Sequence, residues 1–199
     1  AVESTKPGEV EAALRKGPFR YEPVPQRYDA RIPEMMTELA DVAEEAVNAA
    51  LAEGAKRSSG TVMTSEWERF VKTSAGAEGA DRGTNIELSI RAFVTDDSSG
   101  QSNSCATRLE DFNPKAAGAE AGKTASQARN PIFGNEGKYK VLFGPAIMAE
   151  FLGRTADFAS AYSVDLGLSF LAGKIGHKVA SKKLTLVDDR RLPGGINSC

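Results

Sequence analysis

The segment of this sequence that comes closest to a chemical motif is a glycine-rich stretch, Gly118-Ala-Glu-Ala-Gly122-Lys123-Thr124. A phosphate-binding P-loop places four residues between its glycines, so that successive backbone N–H groups wrap the phosphates. Here three residues separate the glycines. The stretch also falls inside a predicted helix, where those N–H groups are already used. We therefore expect no nucleotide binding at Lys123.

Histidine and cysteine are too few and too far apart to predict a metal site or a nucleophilic triad. The one histidine, His177, has no second histidine to complete a ligand spacing, and its glycine-rich surroundings favour a surface or capping role. Cys105 has no base or cation beside it in the sequence, which argues against a reactive thiol. Because Cys199 is the last residue, the two cysteines indicate reduced thiols rather than a disulfide framework.

Pairs of like charges are also poorly placed for acid–base chemistry. The carboxylate pairs Asp96–Asp97 and Asp188–Asp189 lie in turn-like contexts. Adjacent strand residues point to opposite faces, so we interpret both pairs as solvated turns. The basic pairs Lys182–Lys183 and Arg190–Arg191 are short and lie among acids, which is typical of a solvated surface.

The overall charge distinguishes this chain from nucleic-acid binders. Its formal net charge is −2 and its sequence pI is about 5.6, without a basic stripe. We therefore interpret Trp67, Phe70, Phe93 and Phe112 as core residues and not as a base-stacking platform. No apolar run approaches the roughly 20 residues of a membrane span. These features predict a cytoplasmic protein with no direct contact to nucleic acid or membrane.

The elements that would position these residues begin with a helix. From Pro33 onwards, apolar residues recur at steps of three and four until Gly54, which predicts a helix over 33–53. The period then changes to two, which is typical of half-buried strands. The strands predicted in this way are 61–64, 67–73, 86–94 and 101–107, with a turn at 96–100.

A second set of elements follows the predicted sheet. Asn113 as an N-cap and Pro114 in the first turn predict an alanine-rich helix to Arg129. Gly144-Pro145 predicts the start of a further helix, and a second apolar stretch occupies 166–175. The remaining predicted strands are 138–143 and 184–187.

Helices and antiparallel strands in separate blocks predict an α+β fold, with a long helix on a mostly antiparallel sheet and a smaller helix/strand segment after it. The predicted parts are an irregular lead-in at 1–31, a helix–sheet–helix part at 32–130 and a strand–helix–helix–strand part at 131–199. A globular chain of 199 residues buries roughly 70% of its unfolded surface, which is enough for a core.

Three stretches carry recognisable motifs: Lys72–Gly79, then Arg108–Ala116, and finally Leu168–Gly176 with Lys178–Ser181 and Leu184–Asp189. They resemble the PmbA/TldD family, the modulators of DNA gyrase. One is similar to the family's asparagine-serine-x-glycine turn, and another to its L-x-D-L-D-P start of an alanine-rich helix. The third and longest block is the most specific. Family members extend beyond both ends, so the chain resembles a central fragment covering roughly 33–195.

The resemblance implies a cytoplasmic, zinc-dependent peptidase system of two related subunits that acts in proteolysis. One subunit carries His-Glu-x-x-x-His on a helix after a Gly-Pro, where the glutamate activates the metal-bound water. In this chain Gly144-Pro145 takes the Gly-Pro position, and the motif would fall on 153–158, which contains neither histidine nor glutamate. We therefore assign no catalytic, cofactor-binding or metal residue, and the chain matches the TldE/PmbA-like side of the family.

Three functions compete on this basis. The first is a non-catalytic subunit that supports a TldD-like catalytic partner, in which the zinc is held, or that forms a homodimer, and acts on peptide substrates. The second is a peptidase with its own site in a further C-terminal part. The third is a stand-alone protein-interaction module. We expect the chain alone neither to bind zinc tightly nor to cleave peptides.

Overall fold

The structure, a computed structural model, describes residues 14, 16–19 and 21–196. Much of the predicted lead-in, and Cys199, lie outside the described residues. The chain divides into two compact units: unit 1 is residues 1–130 with 189–199, and unit 2 is residues 131–188. Unit 1 contains α1 (Leu39–Ala52), β1 (Arg57–Lys72), β2 (Glu78–Thr95), β3 (Ser98–Ala106), a 3-10 turn (Leu109–Asp111) and α2 (Pro114–Gln127), and unit 2 contains α3 (Pro145–Ala159) and α4 (Ala161–Asp165).

The three strands form an antiparallel meander in the order β1-β2-β3, and this confirms the predicted α+β class. The prediction of two strands at 61–64 and 67–73 is wrong, because β1 is continuous. Ser65 and Glu66 pair with Asn85 and Thr84 within an unbroken register. Polar residues do not interrupt a strand whose backbone groups find partners in a long neighbour. The 86–94 strand also extends further, since β2 begins at Glu78.

Alternation along β2 determines which face of the sheet is buried. From Thr84 to Val94 its even-numbered residues face the helices and are buried, whereas the odd-numbered residues from Asn85 to Phe93 lie on the opposite, outer face and are half-buried or exposed. A strand with one buried face has this period of two. The buried apolar residues of β2 are Ile86, Leu88, Ile90, Ala92 and Val94.

Helix α2 lies directly on the sheet at Gly100 of β3. A Cβ at Gly100 would overlap the carbonyl oxygen of Ala121 and the amide of Ala125. The Ser98 hydroxyl donates a hydrogen bond to the Ala125 carbonyl, which satisfies a buried polar group at the same contact. Only a glycine allows the helix backbone to come this close to the strand.

Helix α1 packs against α2 and contributes to the same core. A Cβ at Gly118 would overlap the carbonyl oxygen of Ala46, and a Cβ at Gly122 would lie 2.5 Å from the carbonyl oxygen of Ala50. Glycines in a helix interior cost conformational entropy. Here they allow two helix backbones to touch. The same apolar cluster includes Ala46 and Ala50 together with Leu88 and Ile90 of the sheet.

Helix α1 begins six residues later than the sequence predicted, at Leu39 and not at Pro33. Ile32 is fully buried, and the chain around it forms successive tight turns, such as Met35 N–H to the Ile32 carbonyl. Because Ile32 is buried and residues 32–38 form tight turns, the regular helix starts only after this segment. The predicted end is confirmed, because Gly54 takes a φ of +96°, a left-handed conformation that terminates helices.

The predicted start of α2 is also confirmed. The Asn113 side chain accepts a hydrogen bond of 2.9 Å from the Ala116 N–H, and Pro114 occupies the first helical position. The carboxamide satisfies one of the N–H groups that a helix N-terminus leaves unpaired.

Unit 2 contains the helix predicted after Gly144-Pro145, but neither predicted strand. Residues 138–143 and 184–187 have no strand conformation. A strand requires a neighbour for its backbone groups, and no strand pairs with these segments in the described part of the chain. The apolar stretch at 166–175 forms turns after α4. Two aromatic pairs contribute to the packing of unit 2. They are Phe143–Phe151 and Phe158–Phe170, with ring centroids 5.0 and 5.5 Å apart.

We expect Gly118→Ala to destabilise unit 1 by about 1–3 kcal/mol, because the methyl group has no space against the Ala46 carbonyl. The free energy of unfolding is measured in urea by fluorescence of Trp67, the only tryptophan. Gly153→Ala in α3 is the control, because its added methyl meets no atom within 4 Å. Equal stability of Gly118→Ala and the unchanged chain would contradict this helix contact.

Candidate functional site

Helix α3 occupies the position at which the peptidase motif of the family would form a metal-binding helix. The helix begins at Pro145 after Gly144, as the motif requires. At the motif's place stands Arg154, whose Nε lies 3.4 Å from Glu150 Oε1 in an exposed i,i+4 ion pair. An exposed pair of this kind contributes little stability. The helix surface therefore carries a cation where a zinc site needs neutral or anionic ligands.

The remaining potential ligands do not come together elsewhere among the residues that the structure describes. Within the described residues, no group of three or more His, Cys, Asp or Glu side chains could hold a metal ion. His177 is exposed, as predicted, and its backbone N–H donates to the Lys174 carbonyl. The residues present therefore do not fit the zinc site that the family motif would form.

Cys105 lies on the outer face of β3, opposite Glu87 of β2. Burial of the thiol, and secondarily the negative charge of Glu87, raise its pKa above the usual range. The thiolate is the reactive form of cysteine, and a raised pKa makes it scarcer at neutral pH. The structure thus supports an unreactive thiol.

The glycine-rich stretch that resembles a P-loop lies wholly within α2. Gly118 and Gly122 face α1, and Thr124 lies beside Gly100 of the sheet. Both glycines serve helix packing, and the backbone N–H groups that would bind a phosphate lie in the interior of a helix.

The aromatic residues divide between two environments. Phe112 packs, as predicted, against the apolar cluster that α1 and α2 form with the sheet and against a second buried cluster of Ile32, Ile86 and Ala106. The prediction that Phe70 is a core residue is wrong, because it is 63% exposed. The same prediction is wrong for Trp67 and Phe93, which lie half-buried on the outer face of the sheet, each beside arginine side chains. Arginine side chains that stack on these rings shield them partly from water, although the rings lie outside the apolar core.

The charged pairs are surface features. Asp96 and Asp97 form the two-residue turn between β2 and β3, and Arg57 reaches Asp96 at 3.2 Å. Lys182 and Lys183 are exposed. Arg191 pairs with Glu22 at 2.7 Å, which joins the end of the described chain to the lead-in within unit 1.

Sequence reasoning missed a buried carboxylate that organises the lead-in. Asp29 accepts hydrogen bonds from the Arg31 guanidinium, at 2.6 and 2.8 Å, and from the backbone N–H groups of Arg31 and Leu109. The Arg31 side chain, followed by the backbone N–H groups, holds the pKa of Asp29 far below its usual range. Arg31 also pairs with Glu110 at 3.0 Å.

A second contact of the lead-in lies beside the carboxylate, at the end of β3. The Thr84 N–H donates to the Arg27 carbonyl and the Asp29 N–H donates to Thr84 Oγ1, at 3.0 and 2.9 Å. Thr84 Oγ1 donates in turn to the Thr107 carbonyl. The lead-in thus occupies the side of β2 that β3 occupies further along the strand, and it does so where the pairing with β3 has ended. Its partners are distant in the sequence, so only the alternating charges of 27–31 could have indicated it.

Arg27 connects this segment to the outer face of the sheet. Its buried guanidinium pairs with Asp81 at 2.7 Å and lies 4.7 Å from the centre of the Trp67 ring. Arg69 lies on the same indole at 5.1 Å. The indole covers Gly83, where a Cβ would come within 2.5 Å of it. Arg27 therefore combines an ion pair with cation–π stacking to fix the lead-in on the sheet.

Unit 2 exposes much more apolar surface than unit 1. Side chains along and around α3 are largely exposed, including Phe151 at 51% and Ile147 at 55%. Among the described helices, none is long and apolar enough to cross a membrane.

Comparison with protein families matches both parts of the chain. Residues 22–129 match the PmbA/TldA metallopeptidase central domain, and residues 136–199 match the PmbA/TldA metallopeptidase C-terminal domain. A comparison with curated proteins gives no match.

Two crystal structures have the same fold, and both are described as modulators of DNA gyrase. The Thermotoga maritima protein is 24% identical with a TM-score of 0.71, and the match covers 83% of this chain and 40% of that one. The Bacteroides thetaiotaomicron protein is 21% identical with a TM-score of 0.67, and the match covers 94% of this chain and 44% of that one. The chain thus spans less than half the length of either.

We expect Asp29→Asn to reduce the free energy of unfolding by roughly 1–3 kcal/mol near neutral pH, because an amide replaces a buried, multiply hydrogen-bonded carboxylate. Urea titration followed by Trp67 fluorescence measures it. Asp97→Asn, an exposed turn residue, is the control and should change stability little.

The stabilisation by Asp29 should also depend on pH, because the pKa of its carboxyl group differs between the folded and unfolded chain. The pKa of Asp29 is lowered in the folded chain, so its stabilisation is fully present above its unfolded pKa of about 3.9. It is lost as pH falls below that value towards the folded pKa. The stability difference between Asp29→Asn and the unchanged chain should therefore shrink in acid. A difference that stays constant down to about pH 3 would contradict the depressed pKa.

Proposed function

This chain belongs to the PmbA/TldD metallopeptidase family, and we propose that it acts as a non-catalytic, TldE/PmbA-like subunit that supports a zinc-dependent peptidase. In this proposal the zinc and the hydrolytic chemistry belong to a TldD-like partner, and the substrates are peptides.

One observation carries the proposal, namely the surface of α3 at the motif position. The segment 153–158 offers no histidine or glutamate, and Arg154 stands exposed there in its pair with Glu150. A guanidinium repels a metal dication and cannot accept a proton from a bound water at neutral pH. A helix with this side-chain set is suited to contact with protein and not to metal-assisted hydrolysis.

The exposed apolar side chains of α3 support an assembly role. Phe151 and Phe158 are 51% and 39% exposed. Leu152, which follows Phe151 in the helix, is half-buried. Aromatic side chains are enriched at the centres of protein–protein interfaces, where their burial contributes most of the affinity. These three residues are the proposed contacts with the catalytic partner.

Peptidase assays with and without a TldD-type catalytic subunit test the proposal. We expect no cleavage of an unstructured peptide by this chain alone, and chelator-sensitive cleavage that depends on this chain when both are present. Phe151→Asp should weaken the activation by placing a charge in an apolar contact. Glu150→Gln, an exposed neighbour on the same helix, is the matched control and should activate normally.

Two results would contradict the proposal. Chelator-sensitive cleavage by this chain alone would assign it a hydrolytic site of its own. Partner activity that is indifferent to this chain would remove the supporting role.

A further inference from the structure

The outer face of the sheet carries two arginine side chains on one phenyl ring, near the turn between β2 and β3. Arg57 of β1 lies opposite Phe93 of β2, and Arg91 precedes Phe93 by two residues on the same face. Their guanidinium carbons lie 4.2 and 5.4 Å from the centre of the Phe93 ring. Because both distances start from the same point, the two cations lie within about 10 Å of each other.

Neither of these cations is neutralised by a buried carboxylate. Arg91 donates from Nε and Nη2 to the uncharged Ser99 hydroxyl, at 3.3 and 3.0 Å, and it forms no ion pair with any described residue. Arg57 reaches Asp96 at 3.2 Å, but the two side chains are 60% and 97% exposed. Since an exposed ion pair contributes little, a carboxylate from another molecule can replace Asp96 at Arg57.

Uncharged polar side chains surround the two arginines on this face of the sheet. Their hydroxyl and amide groups can bind the N–H and C=O groups of a peptide backbone. The nearest acid along β2 on the same face is Glu87, four residues from Arg91, which is roughly 13 Å along a strand. The uncharged residues are Ser59, Thr61, Ser89, Gln101 and Asn103.

The spacing of the two guanidinium groups suits an extended peptide with acidic side chains. In an extended chain, the side chains of residues i and i+2 lie on the same side, roughly 7 Å apart. Each carboxylate can then bind one guanidinium through two parallel hydrogen bonds. Phosphate sites commonly add backbone N–H groups from a loop or a helix N-terminus, whereas the backbone of β2 pairs here with β1 and β3.

We propose that this end of the outer face, the Arg57–Arg91 patch, binds extended peptides that carry acidic side chains at alternate positions. One carboxylate binds each guanidinium, and Phe93 positions both cations by stacking. The inference rests on the proposed function, because it makes acidic, unstructured peptides the substrate class that this chain presents to its catalytic partner.

Fluorescence anisotropy of a labelled, unstructured peptide with glutamate at every second position tests the proposal on the full chain alone. We expect saturable binding, and binding about tenfold weaker when the glutamates are replaced by glutamines. A peptide of the same composition with its glutamates in adjacent pairs should also bind more weakly, because adjacent side chains point to opposite sides of an extended chain.

Substitutions in the patch should change the affinity in both directions. Arg57→Gln and Arg91→Gln should each weaken binding of the alternating peptide by about tenfold. Asp96→Asn should strengthen it, because it removes the carboxylate that competes for Arg57. Arg82→Gln is the matched control: Arg82 also stacks on a ring, that of Tyr28 at 4.1 Å, but it lies on the opposite face of β2 and its loss should leave binding unchanged. Thermal unfolding verifies that each variant is folded, and tighter binding by Asp96→Asn cannot result from misfolding.

Assays with a TldD-type catalytic subunit separate this inference from the proposed function. We expect Arg91→Gln to raise KM for the alternating acidic peptide and to leave kcat unchanged, because the patch binds substrate away from the reacting atoms. Binding to this chain without any cleavage that depends on it would contradict the peptidase role and support the peptide site. Dependent cleavage with no preference for acidic peptides would support the peptidase role and contradict this inference.

Three further outcomes would overturn the proposed peptide site. One is the absence of saturable binding of the alternating peptide to the full chain. Another is binding that neither arginine substitution weakens. The third is equally tight binding of inorganic phosphate at the patch, because this would make it a phosphate site.

Discussion

The close approach of α1 and α2 is the contact on which the arrangement of unit 1 depends. Gly118 and Gly122 lie against the backbone of Ala46 and Ala50, and seven of the ten buried residues in the surrounding cluster are alanines. Small side chains allow two helices to share the cover of a narrow three-stranded sheet. The sheet face that they bury then fixes the register of the strands, because a shift by one residue would turn every apolar side chain outwards.

The sequence predicted the elements whose signals are local. The N-cap at Asn113, the terminating Gly54 and the alternation of 86–94 each depend on neighbouring residues. The errors arose where distant contacts decide. β1 continues through Ser65 and Glu66 because β2 supplies partners along its whole length. The apolar segment 138–143 has the pattern of a strand but no pairing strand in the described part of the chain.

The candidate site shows the same division. The unsuitability of α3 for zinc could be predicted, because it depends on residue types within one segment. The anchoring of the lead-in could not, since Asp29 and Arg27 act through Leu109, Thr84 and Trp67, which lie 40 to 80 residues away. A glycine pair that resembles part of a phosphate loop proves to be a helix contact. Family membership therefore establishes the fold, whereas the side chains of each segment decide which chemistry it retains.

The metal content of the chain tests the central claim most directly. Protein purified without added zinc is analysed by mass spectrometry for zinc per chain, with its peptidase activity measured on the same sample. The account predicts zinc far below one equivalent and no chelator-sensitive cleavage, because α3 presents Arg154 and Glu150 as an exposed ion pair and no ligand cluster lies among the described residues. Near-stoichiometric zinc together with chelator-sensitive cleavage by this chain alone would contradict it.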